Sequence, residues 1–416
     1  MSPDAAVVHH LAYYGYEKTV IDSQVVTPAV RLASDSVAVR LLFLEDPLPW
    51  ALRRWVPKAV ALENIGLIAR FLPRAPRNVL HLNSLQVARF LGPALRGGAP
   101  VVVHARGFQA AHALLPIKRR HPNLRVICDA RGIEAEEFEL DIRSRHGELT
   151  PSQMAWKIRL SEIEREAVAG SDAVFCVSRS MIPFLKRRAG PAASAKPFEY
   201  VPCCVEPDHF AEAIGQREAV RRELGIGDRL ALVYSGSLSA WQVPEKMLKV
   251  AMRFLELHPE SVFLGLTPEP ARLKAAAMRA GVPASRLRSL KVSHDHVRFY
   301  LAASDAALLL REDNDVNRYA CPTKFAEYLA TGLHVIATPA VEEVAATLRE
   351  TGAGTLIESL DAGADDALRA AGAAARDVDA RVKKSLAAAR DRYDWSRHLP
   401  TVKKWYLDLL SSPRSE

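Results

Sequence analysis

The chain has 416 residues and a net charge of +8, with 49% hydrophobic, 25% charged and 7% aromatic residues. That length exceeds what one hydrophobic core usually supports and predicts two domains of roughly 200 residues each, with the composition of an ordinary globular protein. No run approaches the roughly 18 uncharged apolar residues that a spanning helix needs, and the opening "MSPDAAVVHH" has neither the charged start nor the cleavage site of a signal peptide, so a cytoplasmic location is expected.

In chain order, short apolar runs alternate with helical patterns. In the N-terminal half "VVHHLAY", "VRLLFLE", "NVLHLN", "VVVHARG", "RVICDARG", "AVFCVS" and "FEYVPCC" read as strands, most of them followed by a segment of helical period. Unbroken Val, Ile and Leu runs mark strands buried on both faces, the pattern of a parallel sheet covered by helices. Between the second and third runs, residues 53 to 77 hold six basic residues against the single Glu63, interleaved with Trp55, Ile65, Leu67, Ile68, Phe71 and Leu72. Such a segment can lie on an anionic membrane surface, basic groups among the headgroups and apolar side chains beneath. It reads equally as a surface helix packed on its own domain. No nucleic-acid-binding motif accompanies the charge, and no nucleic-acid partner is expected.

After "VEPDHFAEAIGQREAVRREL" the cycle restarts with "ALVYSG", "SVFLGL", "RSLKVS", "AALLLRE", "HVIATP" and "TLIES". The expected fold class is therefore α/β, two successive Rossmann-like, doubly wound parallel-sheet domains over residues 1–205 and 206–394. A terminal amphipathic helix, 395–416, is expected to pack back on the first domain. Cys128, Cys176, Cys203, Cys204 and Cys321 are odd in number, sit mostly in apolar strand-like runs and lack metal-ligand spacing, so they read as reduced core thiols.

One stretch, "RYACPTKFAEYLATGLHVIATPA" (318–340), places Lys324 and Glu327 three apart inside an otherwise apolar helix pattern. Pro322 suits the first turn of a helix, and Gly332 suits its left-handed stop before the next strand. Phe325 and Leu329 then face the core, while Lys324 and Glu327 share a neighbouring face near the N-terminus. A helix N-terminus favours anions, so a phosphate there would meet backbone N–H groups and the Lys324 ammonium. Glu327, one turn on, can accept hydrogen bonds from two adjacent hydroxyls such as a ribose carries. The alternative is an exposed ion pair worth under about 1 kcal/mol.

The run "RYACPTKFAEYLATGLHVIATP", with "YLAASDAALLLRED" before it, resembles the nucleotide-binding motif of family 4 retaining glycosyltransferases of the two-Rossmann GT-B fold. Further pieces resemble the same family along nearly the whole chain: "YYGYEKTV", "VFCVSRSM", "YVPCCVEPDHF", "LVYSGSLSAWQ" and "YDWSRHL". The resemblance implies two domains facing across a cleft, an acceptor domain first and a nucleotide-sugar donor domain second. It implies that Glu327 binds the ribose and that Lys324 lies near the diphosphate, with Thr323, Asn317, Gly236 and Ser237 around the nucleotide sugar. Two departures stand out. The family's motif has a second glutamate eight positions before Glu327, where this chain has Tyr319, and a polar loop with Glu312, Asp313, Asp315 and Asn317 precedes it. The arginine and lysine that normally clamp the diphosphate after the first strand of the second domain are replaced by Ser237 and Gln242. Arg311, Arg318 and Lys324 are the candidate cations that take over.

On the N-terminal side, Gly15 follows the first strand, where a residue without Cβ lets backbone approach the donor phosphates. His104 ends the run "VVVH", where members of the family often place a histidine beside the donor sugar. Asp129 and Arg131 stand at another strand end as acceptor-side candidates, and Glu134, Glu136 and Glu137 after them read as a solvated helix start. The alternatives are a satisfied structural histidine and loop-anchoring hydrogen bonds. The implied reaction is transfer from a nucleotide diphosphate sugar to a lipid-linked or cell-surface glycan precursor with retention of configuration. Cations and helix N–H groups would stabilise the leaving diphosphate, so no metal and no cofactor are expected. A nucleotide-sugar epimerase of the same fold and a catalytically degenerate scaffold protein remain open.

Overall fold

The computed structural model describes residues 6–13, 18–35, 37–45, 58–359 and 363–412. The chain divides into two compact units, Met1–Pro202 with His398–Glu416, and Cys203–Arg397. Each unit is built on one all-parallel sheet.

Unit 1 carries β1 (Ala6–Ala12), β2 (Val37–Glu45), β3 (Ile68–Pro73), β4 (Val101–Arg106), β5 (Leu124–Ala130), β6 (Ala173–Cys176) and β7 (Phe198–Tyr200) in the order β3-β2-β1-β4-β5-β6-β7. The central strands are buried almost end to end, as their unbroken apolar runs require. Strand order reverses between β1 and β4, where His10 and His104 are register partners. That reversal is the switch point at which open α/β sheets take ligands.

Two local readings of the sequence are corrected. "NVLHLN" is not a strand; it opens the helix His81–Arg96, whose buried Val87, Leu91 and Leu95 repeat at helical spacing. The third strand is instead Ile68–Pro73, within the basic segment. A run of only a few apolar residues does not separate strand from buried helix, and the helical repeat lay downstream of it. Of the basic segment, residues 53–57 lie outside the described residues, 58–63 are helical, and β3 pairs with β2, its Phe71 stacked on Phe43 at 5.0 Å.

Unit 2 carries β8 (Leu230–Ser235), β9 (Ser261–Leu266), β10 (Leu287–Leu290), β11 (Ala306–Leu309), β12 (His334–Ala337) and β13 (Gly354–Leu356) in the order β10-β9-β8-β11-β12-β13. Here the order reverses between β8 and β11. The chain leaving β8 is Gly236–Ser239, and the chain leaving β11 begins with Leu310 and Arg311. Two apolar clusters cover the two faces of this sheet, one containing Phe325, Tyr328 and Leu329, the other Tyr234, Met247 and Phe254.

The helix Thr323–Ala330 forms as its sequence dictates. Pro322 stands at its N-cap, one position earlier than expected, and no side chain caps the first turn. Phe325 and Leu329 are buried, contributing about 1.5–3 kcal/mol each relative to exposure. Gly332, at φ +75°, ends the helix, with its N–H donating to the Leu329 carbonyl and that of Leu333 to Tyr328.

Candidate functional site

The switch point of unit 2 gathers most of the residues that the sequence singled out. Arg311, directly beyond β11, is held by its backbone, since its N–H donates to Thr338 Oγ1 at 2.9 Å and its carbonyl accepts from the same hydroxyl at 2.7 Å. Its side chain is buried, and Nη1 donates to Gln242 Oε1 at 2.6 Å and to the Leu310 carbonyl at 3.0 Å. Lys324 Nζ donates to the same Gln242 Oε1 at 3.0 Å and lies 4.8 Å above the Tyr234 ring. Two cations thus share one neutral acceptor, and neither has a carboxylate within ion-pair distance among the described residues. Burial and the neighbouring Arg311 charge hold the Lys324 pKa well below the ordinary ammonium range. Burial brings Arg311 down to about 10. Neither group has a carboxylate in direct contact among the described residues, so an anion arriving there gains more than it would at a paired site.

The backbone after β8 lets the Lys324 ammonium come close. Gly236 follows β8 at φ +139°, and a methyl group on it would stand 2.5 Å from Lys324 Nζ. Only glycine suits both the conformation and the close approach. Ser237 Oγ and Ser239 Oγ are 2.6 Å apart, and the Tyr234 hydroxyl donates to the Ser237 carbonyl, which fixes the loop. Thr323 is the first residue of its helix, so its N–H and that of Lys324 precede any intrahelical acceptor. Tyr328 ties this helix to the end of β8, accepting from the Ser235 N–H at 3.0 Å.

Glu327 is one turn further along, and its carboxylate is 18% exposed. It makes no ion pair with Lys324, so the exposed-pair reading fails. His294 Nε2 lies 3.9 Å from its Oε1. Burial raises the Glu327 pKa against the opposing pull of His294 and Lys324.

The other candidates on this unit are engaged elsewhere. Asn317 is buried, and its amide donates to the Glu312 carbonyl at 2.9 Å, which braces the loop after β11. Arg318 is taken by Asp313 and Asp315 at 2.9 and 3.0 Å, and Glu312 by Lys246 at 3.0 Å. Of the three cations proposed for the phosphate, Arg311 and Lys324 converge and Arg318 does not.

In unit 1 the chain does not stop at His104; β4 continues to Arg106, so the histidine is interior to the strand. His104 Nδ1 lies 2.7 Å from the Tyr406 hydroxyl and Nε2 3.2 Å from Asp129 Oδ2. His10 Nε2 meets the same hydroxyl at 2.8 Å. Asp129 also accepts from Arg131 Nε at 2.7 Å, with Arg106 at 3.7 Å. His104, Asp129 and Arg131 are therefore brought together, in a network that the sequence did not reveal because Tyr406 lies on the C-terminal helix Trp395–Ser411. Burial works to raise the Asp129 pKa, but Arg131, the His104 hydrogen bond and Arg106 outweigh it and hold the carboxyl well below the usual range. Gly15 lies outside the described residues.

The acids after β5 are not simply solvated. Glu134 accepts from the Phe108 N–H at 3.0 Å and Gln109 Nε2 at 2.9 Å, and Glu136 pairs with Arg188, which also reaches the buried Glu164. Among the described residues, no cluster of three or more His, Cys, Asp or Glu side chains could hold a metal ion.

Asp129→Asn should cost about 3 kcal/mol of stability, because it leaves the buried cations around it unmatched. A depressed folded-state pKa contributes stability above the unfolded value near 4 and loses it as pH falls. The difference between wild type and Asp129→Asn in urea unfolding should therefore be full at neutral pH and shrink below about pH 4. An equal difference at all pH values would contradict the assignment.

No protein-family model matches the sequence, and no curated protein does. Solved structures do match. Sucrose-phosphate synthase from Thermosynechococcus elongatus superposes with a TM-score of 0.70 at 15% identity, over 97% of this chain and 100% of that one. A glycosyltransferase from Rickettsia africae gives 0.69 at 12% identity over 99% and 100%. HepE of Anabaena, solved with UDP, gives 0.65 at 13% identity over 96% and 100%. At these identities the likeness is one of fold. With its seven-stranded and six-stranded parallel sheets, the chain has the two-Rossmann architecture of the GT-B glycosyltransferases.

Proposed function

We propose that this protein is a glycosyltransferase that moves a sugar from a nucleoside diphosphate sugar to an acceptor, with the nucleotide held by unit 2. The observation that carries this reading is the convergence of Arg311 and Lys324 on Gln242 Oε1, without a carboxylate, at the switch point of the sheet. The diphosphate lies against these cations and the first turn of Thr323–Ala330, and the ribose hydroxyls donate to Glu327. HepE has been solved with UDP and with UDP-glucose, which supports a uridine nucleotide as the first donor to try.

As the glycosidic bond breaks, negative charge grows on the leaving diphosphate and the anomeric carbon becomes cationic. Fixed cations and helix N–H groups stabilise that charge without reorganising. Arg311 and Lys324 supply the stabilisation in this reading, and no step is assigned to a metal. The likeness of the helix motif to family 4 enzymes supports retention of configuration, with unit 1 meeting a lipid-linked or cell-surface glycan precursor near Arg131. The test is release of free sugar and nucleotide from a nucleotide sugar without acceptor. Slow hydrolysis is expected; an isomerised sugar nucleotide would indicate an epimerase, and binding without turnover a scaffold.

Peripheral attachment to an anionic membrane belongs to the same proposal. No described helix is long and apolar enough to cross a membrane. Val60, Ile65 and Ile68 are exposed within the segment, although Lys58 already pairs with Glu45 at 3.2 Å. Replacing Arg53, Arg54 and Lys58 should reduce binding to anionic vesicles, and rising salt should do the same. Equal, salt-insensitive binding to neutral vesicles would count against it.

A further inference from the structure

Gln242 takes the place where a clamp lysine would stand by resemblance, and its position is unusual. It ends the short turn Ala240–Gln242 and is buried. The next residue, Val243, has φ +44°, and it is the one non-glycine residue with positive φ among those described. A β-branched side chain is strained in that region, and such strain persists only where surrounding structure holds it. Here Val243 caps the helix Pro244–Leu257, whose Met247 N–H donates to the Val243 carbonyl, so Gln242 stands directly before a helix start held in this conformation.

A side-chain amide oxygen has two lone pairs, and in Gln242 both are used by cations on different segments. Arg311 comes from beyond β11, and Lys324 from the helix before β12. Like charges brought this close repel, and the neutral carbonyl joins them without cancelling either. A lysine at this position would add a third positive charge to a buried group, and a glutamate would neutralise one of the two.

We propose that Gln242 is the positioning residue of this site, holding Arg311 and Lys324 as a fixed, uncompensated pair that binds the diphosphate of the donor. The inference rests on the function proposed above and assigns a role to a residue outside the set that touches substrate. Lys324 is faced by Arg311, Glu327 and Tyr234, so its titration reports on this arrangement. Arrival of pyrophosphate favours the protonated amine, and affinity falls as pH rises and Lys324 loses its proton.

The test compares wild type with Gln242→Glu and Gln242→Met, measuring calorimetric titrations with inorganic pyrophosphate across pH and the rate at which Lys324 is acetylated without ligand. Gln242→Glu should bind pyrophosphate at least tenfold more weakly. Its carboxylate should also hold the Lys324 proton, so acetylation slows and the alkaline loss of affinity moves to higher pH. Gln242→Met should weaken binding while leaving acetylation at least as fast as in wild type. Wild-type affinity, pH profile and acetylation in both folded variants would overturn the proposal. A wild type that binds neither pyrophosphate nor UDP, with Lys324 acetylation still shifted by Gln242→Glu, would instead remove the nucleotide-sugar reading and leave the pairing role of Gln242 supported.

Discussion

Lys324→Ala should lower turnover about 100-fold or more while the protein stays folded, in keeping with the loss of one preorganised electrostatic contact. The reason lies in when the contact matters. Charge on the leaving diphosphate increases as the glycosidic bond breaks, so a cation there stabilises the transition state more than the bound donor, and kcat should fall more than KM rises. Lys324 is suited to this because its ammonium is half-buried, stands over the Tyr234 ring and, among the described residues, has only the neutral Gln242 oxygen as hydrogen-bond partner. Burial already lowers its pKa, so it is a group whose charge the diphosphate itself would stabilise. Near-normal turnover in Lys324→Ala, with collapse in Arg311→Ala, would move the phosphate to the end of β11.

Glu327→Ala should weaken binding of the nucleotide sugar by about 2 kcal/mol, the size of lost hydrogen bonds to a charged acceptor. The carboxylate is half-buried and accepts no hydrogen bond among the described residues, with His294 no closer than 3.9 Å. Its removal breaks no hydrogen bond among the described residues and loses only the longer contact to His294, so stability should change little. Unchanged affinity by calorimetry on the folded variant would place the ribose elsewhere.

The two sheets were legible because strands buried on both faces leave unbroken apolar runs, and nearly every such run became a strand. The exceptions were local: "NVLHLN" has the composition of a strand and is the first turn of a helix, whereas Ile68–Pro73 is mostly not buried and its apolar run is interrupted by Arg70. The helix Thr323–Ala330 could be read with its glycine stop because its signals lie within a dozen residues. What could not be read were contacts that join distant segments. Lys324 reaches Gln242 across 82 positions, and Tyr406 reaches His104 across 302. No local spacing encodes either, so Gln242 seemed merely to replace a lost lysine, and His104 was read as a strand-end residue, either beside the donor sugar or satisfied structurally, without a partner to name.

The polar loop before the helix shows the same limit from the other side. Its acids and Asn317 suggested sugar-binding groups, but the loop spends them internally, through Asn317 on Glu312 and Arg318 on Asp313 and Asp315. A composition rich in carboxylates and amides signals hydrogen-bonding capacity, and only the fold decides whether that capacity faces a ligand.

The most direct test of the account is calorimetric titration of the wild-type protein with UDP and UDP-glucose, alongside folded Lys324→Ala and Glu327→Ala. Measurable binding to wild type is expected, with a loss of about 2 kcal/mol in Glu327→Ala and an affinity in wild type that declines as pH rises, a decline that Lys324→Ala should lack. Binding of equal strength and equal pH dependence in all three proteins would contradict it.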